Sequence, residues 1–205
     1  MIIGIVGKAR SGKDTFAEML AEEIFNEVKH RFVLMAYAQE LKLRVQKDFD
    51  LSYDQLWGDL KEVPDTRYFK KEPLDSPEPF WTPREMMQSY GEFYRSIDNE
   101  FWVKNLFRTI EDKEYKNVIV TDVRHPNEAD PIVERDGYII KVTSDRSDKE
   151  KIHGSQHISE TAMDTYNKID FHVRNDMGLK ELNQSAKDVT QFLIKSVRMK
   201  EKLEG

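Results

Sequence analysis

The feature that most constrains the fold is a glycine-bounded turn between an apolar run and an amphipathic helix. The apolar residues Met1 to Val6 predict a buried strand, and the turn that follows, residues 7–14, reads Gly-Lys-Ala-Arg-Ser-Gly-Lys-Asp. From Gly12 to about Lys29, apolar residues recur at helical spacing, which predicts a helix with one buried stripe. A strand, a glycine-rich turn and a helix in this order are the setting in which a P-loop is credible.

A turn of this kind suits a polyphosphate. Gly7 and Gly12 let the backbone curl so that successive amide N–H groups point inward, and the start of the helix adds its dipole. Lys13 supplies a point charge for the outer phosphates. The predicted nucleotide-binding segment comprises Gly7, Lys8, Ala9, Arg10, Ser11, Gly12, Lys13, Asp14 and Thr15. The preceding strand disfavours the alternative, a glycine-rich turn that binds no ligand.

Three oxygen-bearing side chains are candidates for holding Mg²⁺. A P-loop usually carries Ser or Thr after its lysine, but here Asp14 follows Lys13 and Thr15 comes next. A carboxylate also binds Mg²⁺, although it repels the phosphates, so the choice between Asp14 and Thr15 stays open. Asp122 follows the apolar run 118–121, where a carboxylate can hold the metal or orient the phosphoryl acceptor, with Arg124 close by. The alternative is that Asp122 caps the turn into the next helix.

Alternating strands and helices predict an α/β fold with a parallel sheet of about five strands. The predicted strands are 1–6, 31–35, 118–121, 138–142 and 169–173, and the predicted helices are 12–29, 39–49, a helix opened by Thr82-Pro83, 98–111, 126–136 and one starting near residue 179. Residues 50–82 are polar and turn-rich and have no assignment. In such a fold, ligand sites lie at the carboxyl ends of the strands.

Composition limits the partners. A chain of 205 residues is long enough for one sizeable domain. The net charge of −6 disfavours non-specific binding to nucleic acid. The lack of cysteine excludes disulfides, thiol nucleophiles and cysteine zinc sites, and suits the cytoplasm. No apolar stretch approaches membrane-spanning length, and the N-terminus is typical of a core strand rather than a signal peptide. We therefore expect neither nucleic-acid nor membrane partners.

The segment 82–95 combines two arginines with a glutamine. Arg84 and Gln88 are four residues apart on one predicted helical face, and Arg95 follows further along. Arginine suits a phosphate through forked, charge-assisted hydrogen bonds, and glutamine suits the edge of a base. The alternative is a solvated helix face. Trp102, shortly afterwards, is either a stacking platform for a base or a core residue.

Four motifs in this order resemble bacteriophage deoxynucleoside monophosphate kinases, over residues 4 to about 185: Gly-x-x-x-x-Gly-Lys-Asp-Thr, Thr-Pro-Arg-Glu-Met-Met-Gln-x-x-Gly, Thr-Asp-Val-Arg-His-Pro-Asn-Glu-Ala and His-x-Ser-Glu. The resemblance implies a three-layer P-loop kinase fold, a single domain over 1–205 with a monophosphate-binding insertion at about 38–112 and a lid at about 144–165. It also implies transfer of the γ-phosphoryl group of ATP, with Mg²⁺, to a deoxynucleoside monophosphate.

The resemblance also implies roles for individual residues. The proposed catalytic residues are Lys13, Arg10, Asp122 and Arg124. ATP contacts fall on residues 7–15 together with Arg146 and Asn175. The acceptor is assigned to Lys42, Arg84, Gln88, Arg95, Trp102, Asp122, Arg124, Glu128 and His157. The metal is assigned to Asp14, Thr15 and Asp122. For the segment 157–160 the alternative is a helix start capped by Ser159. The implied partner is a small nucleotide in the cytoplasm, the host's if the chain is phage-encoded, with a homodimer left open.

Two other functions compete with this interpretation. A P-loop kinase for another phosphorylated metabolite, such as the animal-type phosphomevalonate kinase, also carries Gly-Lys-Asp but does not account for Gln88 between two arginines or for Trp102. A non-catalytic switch that binds ATP or GTP is the second. The string Asn167-Lys168-Ile169-Asp170 matches a GTPase motif, but it precedes the last predicted strand instead of following one.

Overall fold

The computed structural model describes residues 1–71, 78–145 and 162–204, with side chains up to residue 196. Two compact units are present. The sheet unit consists of Met1–Ala36 and Thr109–Gly205, and the helical unit of Tyr37–Arg108. The helical unit falls within the region of about 38–112, for which a monophosphate-binding insertion stays a prediction.

The sheet unit is built on five parallel strands. They are β1 (Ile2–Val6), β2 (Val33–Met35), β3 (Val118–Val123), β4 (Tyr138–Thr143) and β5 (Phe171–Arg174), in the spatial order β2-β3-β1-β4-β5. The described helices are α1 (Lys13–Val28), α2 (Tyr37–Phe49), α3 (Tyr53–Leu56), α4 (Pro83–Ile97), α5 (Phe101–Asp112), α6 (Pro126–Val133) and α7 (Leu179–Glu204). The predicted parallel α/β sheet is confirmed. Within the part of the chain that the structure describes, every helix is too short or too polar to cross a bilayer.

Helices cover both faces of the sheet because its strands are apolar on both sides. On one face α1 and α7 pack over a continuous core, with buried side chains from Phe16, Leu20, Ile24, Leu182, Ala186, Val189 and Leu193. In both helices these residues recur at helical spacing in the sequence. Successive strand residues point to opposite faces, and α6 covers the other face through Ile132. The sheet unit therefore has three layers.

Gly4 allows α6 to approach the sheet. A Cβ atom at Gly4 would lie 2.8 Å from Cδ1 of Ile139 and 2.9 Å from Cδ1 of Ile132. Since this residue is in the middle of β1, the close packing fixes the central strand against α6.

The helical unit has its own core, formed by Val45, Leu51, Leu56, Met86 and Met87. Its helix α4 begins as predicted: Thr82 is the N-cap, Pro83 is the first helical residue, and Glu85 completes a capping box. The helix α5 begins at residue 101 rather than 98, because the carboxylate of Asp98 accepts a hydrogen bond from the Glu100 amide (3.0 Å) and lies ahead of the first turn.

Residues 50–82, unassigned from the sequence, contain α3, a short 3-10 helix (Asp59–Glu62) and an antiparallel bridge between Phe69 and Phe80. A buried carboxylate ties this region together. Asp65 accepts hydrogen bonds from Nε (2.9 Å) and Nη2 (2.7 Å) of Arg67 and from the side-chain amide of Gln55 (2.8 Å). The hydrogen bonds from Arg67 hold the pKa of Asp65 well below its usual range.

We expect Asp65→Asn to lower stability at neutral pH and to flatten its loss in acid. A carboxylate with a depressed folded-state pKa contributes stability above its unfolded-state pKa, near 4, and loses that contribution as the pH falls below it. The neutral variant should be less stable by about 1–3 kcal/mol at pH 7, because the hydrogen bonds lose their charge assistance. Urea unfolding at several pH values measures both effects. Asp59→Asn, at an exposed position, is the control; an unchanged acid dependence in Asp65→Asn would contradict the assignment.

Candidate functional site

The glycine-rich loop follows the central strand of the sheet. From β1 the chain runs outward to β2, returns to β3 beside β1, and then crosses to β4 on the other side. The direction of strand order therefore reverses at β1. In open α/β sheets, ligands bind outside the carboxyl ends of the strands at such a reversal.

The loop backbone has the conformations that a P-loop needs. Gly12 adopts a left-handed conformation (φ 86°) as the N-cap of α1, and Arg10 is also left-handed (φ 62°). The Ser11 amide donates to the carbonyl of Lys8 (3.2 Å), which closes the turn. Alternation of left-handed and ordinary residues makes a concave array of backbone amides that suits an anion.

Both loop glycines lie against neighbouring atoms. A Cβ atom at Gly7 would be 2.6 Å from Oγ of Ser11 and 2.7 Å from the carbonyl oxygen of Val142. One at Gly12 would be 2.2 Å from Nδ2 of Asn175. Ser11 is fully buried, and within the described chain its Oγ has no hydrogen-bond partner. The loop is thus packed onto the sheet at the level of its backbone.

Lys13 is the first residue of α1, and its ammonium group lies near the first turn of that helix. Its side chain is almost buried, and its Nζ lies 3.4 Å from Oδ2 of Asp14, whose side chain is mostly exposed. Asp14 partly balances Lys13 in the free protein, so a polyphosphate at this loop would compete with Asp14 for the ammonium group.

Asp122 lies within β3, near its carboxyl end, rather than after it. Gly4 pairs with Val120 and Val6 with Val123, so β3 has one more residue than β1 over this stretch, which is a β-bulge. Bulges next to functional sites redirect side chains. The N-cap position of the helix that follows β3 is His125, three residues after Asp122.

Glu128 closes the turn from β3 into α6. It is buried, and its Oε2 accepts hydrogen bonds from the backbone amides of Arg124 (2.8 Å) and His125 (3.1 Å). These bonds give Glu128 a structural role through Oε2, and its contact with the acceptor stays a prediction. The same bonds fix the backbone of Arg124 close to Asp122.

Asn175, which the resemblance assigns to ATP, contacts the backbone of the glycine-rich loop. Its Nδ2 donates to the carbonyl of Ser11 (3.0 Å), and its backbone amide donates to the carbonyl of Thr143 (2.8 Å). Arg146, His157 and most of the predicted lid 144–165 lie outside the described residues.

Five of the nine residues predicted for the acceptor belong to the helical unit: Lys42, Arg84, Gln88, Arg95 and Trp102. Arg84, in the first turn of α4, donates from Nε to Oε1 of Glu62, and Gln88 follows one turn later. Arg95 lies in the last turn of the same helix, with Nη1 close to Gly91. Lys42 of α2 lies over the ring of Trp57, with Nζ 5.5 Å from the ring centroid.

Trp102 is a core residue. It is only 3% exposed, and its Nε1 donates to the carbonyl of Gly91 (3.2 Å). Its ring packs edge-on against those of Phe101 and Tyr94, with centroids 4.9 and 5.5 Å away. Because its ring is buried, Trp102 cannot be the stacking platform for a base. The alternative, a core residue of an amphipathic helix, is confirmed.

The candidate metal ligands suit a hydrated Mg²⁺. The described residues contain no cluster of three or more Asp, Glu or His side chains that could enclose a cation. Mg²⁺ typically keeps several waters and binds one or two carboxylates together with substrate phosphates. Asp14 and Thr15, both exposed, and Asp122, nearly buried, offer the oxygen donors that such a site requires.

A family model matches the part of the chain that follows the glycine-rich loop and α1. Residues 33–186 match the family model described as deoxynucleotide monophosphate kinase. A protein of Acanthamoeba polyphaga mimivirus named "Putative deoxynucleotide monophosphate kinase" is 34% identical over 157 residues, which are 69% of this chain and 73% of that protein. Similar solved structures include dephospho-CoA kinase from Campylobacter jejuni (16% identity, TM-score 0.46, 93% of this chain and 95% of that one). Shikimate kinase from Aquifex aeolicus is another (16% identity, TM-score 0.42, all of both chains).

We expect Asn175→Ala to weaken nucleotide binding through the loop and not through the base. Because Asn175 contacts the Ser11 carbonyl, its loss should reduce the affinities for ATP, GTP and inorganic tripolyphosphate by a similar factor, about three- to tenfold. Calorimetric titration of each ligand measures this. Met177→Ala, at an exposed position nearby, is the control. A loss for ATP alone would instead support a contact with adenine.

Proposed function

The chain belongs to the deoxynucleotide monophosphate kinase family, and from that premise we propose that it transfers the γ-phosphoryl group of ATP to a deoxynucleoside 5′-monophosphate. The observation that carries the proposal is the left-handed glycine turn at the carboxyl end of the central strand, with Lys13 at the start of the following helix. Family membership supports a nucleotide kinase, and the loop supports a polyphosphate as donor.

In this proposal the loop binds ATP through its backbone. The amides of residues 7–13 hold the β- and γ-phosphates, and Lys13 follows the charge that moves onto the leaving oxygen. Arg10, exposed at the tip of the loop, adds a second positive charge on the same phosphates. Negative charge grows on the leaving oxygen as its bond to phosphorus breaks. Both residues lower the barrier because they stabilise this charge more strongly in the transition state than in bound ATP.

Mg²⁺ would be held by Asp122 together with Asp14 or Thr15, and when bound it would neutralise the phosphates during transfer. If Asp14 is a ligand, the metal would compete with Lys13 for its carboxylate. That competition would make Lys13 more available to the phosphates.

The acceptor needs no general base. The second pKa of a phosphate monoester is about 6, so its attacking oxygen is already ionised at neutral pH. Positioning and charge neutralisation are then the remaining tasks. We assign them to Arg84, Arg95 and Lys42 on the phosphate, to Gln88 on the base, and to Asp122 and Arg124 near the transferred group.

A coupled assay of ADP release tests the activity directly. With deoxynucleoside and ribonucleoside monophosphates tried in turn, release should depend on the acceptor, and deoxynucleotides should be the better substrates. Lys13→Met should lower turnover by about a hundred- to a thousandfold, because it removes the charge that follows the γ-phosphoryl group. Equal release without any acceptor would indicate a simple ATPase. Retention of more than about a tenth of the turnover by Lys13→Met would refute its role.

We expect Arg84→Ala and Arg95→Ala to act on the acceptor alone. Each removes a charge-assisted bond, so kcat/KM for the monophosphate should fall about ten- to a hundredfold, with a raised acceptor KM. Calorimetry without acceptor should show unchanged ATP affinity. Gln88→Ala, on the same helix but uncharged, should alter the ranking among bases more than the best rate. Equal losses for ATP and acceptor in the arginine variants would contradict the separation of the two sites.

A further inference from the structure

Arg84 makes one directed contact in the helical unit. Its Nε donates to Oε1 of Glu62, the last residue of the 3-10 helix, which lies 22 positions earlier in the chain. No other hydrogen bond or ion pair of this guanidinium is present among residues 1–71, 78–145 and 162–204. Both side chains are partly exposed, at 30% for Arg84 and 44% for Glu62. A ligand from solution can therefore reach the arginine.

Glu62 contacts one edge of the guanidinium group, and the choice of edge determines which N–H groups stay available for a ligand. Arginine carries five N–H donors in a rigid planar fork, and the two terminal nitrogens form one of the pairs that can bind a phosphate bidentately. Glu62 takes only Nε. It therefore fixes the plane of the fork and leaves Nη1 and Nη2 available.

The backbone segments that carry Glu62 and Arg84 are each held by local contacts. The 3-10 helix follows α3 closely: Nζ of Lys61 donates to the carbonyl of Trp57 (3.3 Å), and a Cβ atom at Gly58 would lie 2.8 Å from Cα of Asp54. At the other end, Glu85 closes the first turn of α4. The ion pair therefore joins two backbone segments that are held independently of it.

We propose that Glu62 is a positioning residue for the acceptor: it holds Arg84 by Nε so that Nη1 and Nη2 face the phosphate of the deoxynucleoside monophosphate. This rests on the proposed function, in which Arg84 binds that phosphate. An unrestrained arginine must lose its rotamer freedom each time the substrate binds, and a pre-oriented one has already lost it. The benefit should therefore appear in acceptor binding.

Substitution of Glu62 tests the proposal by a split between kinetic constants. Glu62→Ala should raise the acceptor KM about three- to tenfold, with kcat and the KM for ATP nearly unchanged. Glu62→Gln, which keeps an oxygen to accept from Nε, should restore part of the loss. Asp59→Ala removes the same charge from an exposed position of the same 3-10 helix and should have no effect. Thermal unfolding of every variant checks that the helical unit is intact.

A double-mutant cycle shows whether Glu62 acts through Arg84. In an Arg84→Ala background, Glu62→Ala should change the acceptor KM no further. An equal effect in both backgrounds would overturn the proposal, as would an effect of Asp59→Ala as large as that of Glu62→Ala. A fall in KM on Glu62→Ala would also overturn it, because Glu62 would then compete with the phosphate.

The same variants separate this inference from the proposed function. If Arg84→Ala leaves the acceptor KM unchanged, Arg84 is not a phosphate ligand and the acceptor site itself is misassigned. If Arg84→Ala raises the KM but Glu62→Ala does not, only the positioning role of Glu62 fails.

Discussion

The left-handed backbone at Gly12 is the constraint on which the donor end of the molecule depends. That residue both caps α1 and touches Asn175, and its neighbour Ser11 is fully buried. A side chain at this position would clash with Asn175 and would also strain the left-handed backbone. A shift of Asn175 would therefore remove the clash but not the backbone strain. The concave row of amides, the start of α1 and the position of Lys13 all follow from this one turn. The loop is consequently held by the sheet and by β5's carboxyl end, not by its own sequence alone.

Most of the fold could be predicted because its signals are local. The strands of a parallel sheet are short apolar runs, and the stripe Phe16, Leu20 and Ile24 has a period that only a helix satisfies. Thr82, Pro83 and Glu85 mark the start of α4 through hydrogen bonds within four residues. Residues 50–82 could not be assigned, because their order depends on contacts such as Gln55 with Asp65, which join polar side chains without any period.

The candidate site could be predicted only in part, for the same reason. The loop is recognisable because its glycines, lysine and helix are contiguous in sequence. Trp102 is a residue type that serves ligands and structure equally well, and its burial, which assigns it to the core, is not visible in a sequence. The hydrogen bonds of Glu128 to the backbone before α6 are not visible in a sequence either. The contacts of Glu62 with Arg84 and of Asn175 with Ser11 join positions far apart in the chain. Opposite charge alone would not have selected Glu62 among the many acidic residues.

The strand order also has a consequence for how the chain reaches its folded state. Among the described strands β1 comes first in the chain, yet its neighbours are β3 and β4, and β2 pairs only with β3. Until residue 118 and those beyond it have left the ribosome, the run Ile2-Ile3-Gly4-Ile5-Val6 has no edge to pair with. Unpaired apolar strands of this kind associate between chains. The nascent protein therefore carries this apolar segment unpaired until residues 118–123 follow, and the helical unit, with a core of its own, can form before the sheet that flanks it in sequence.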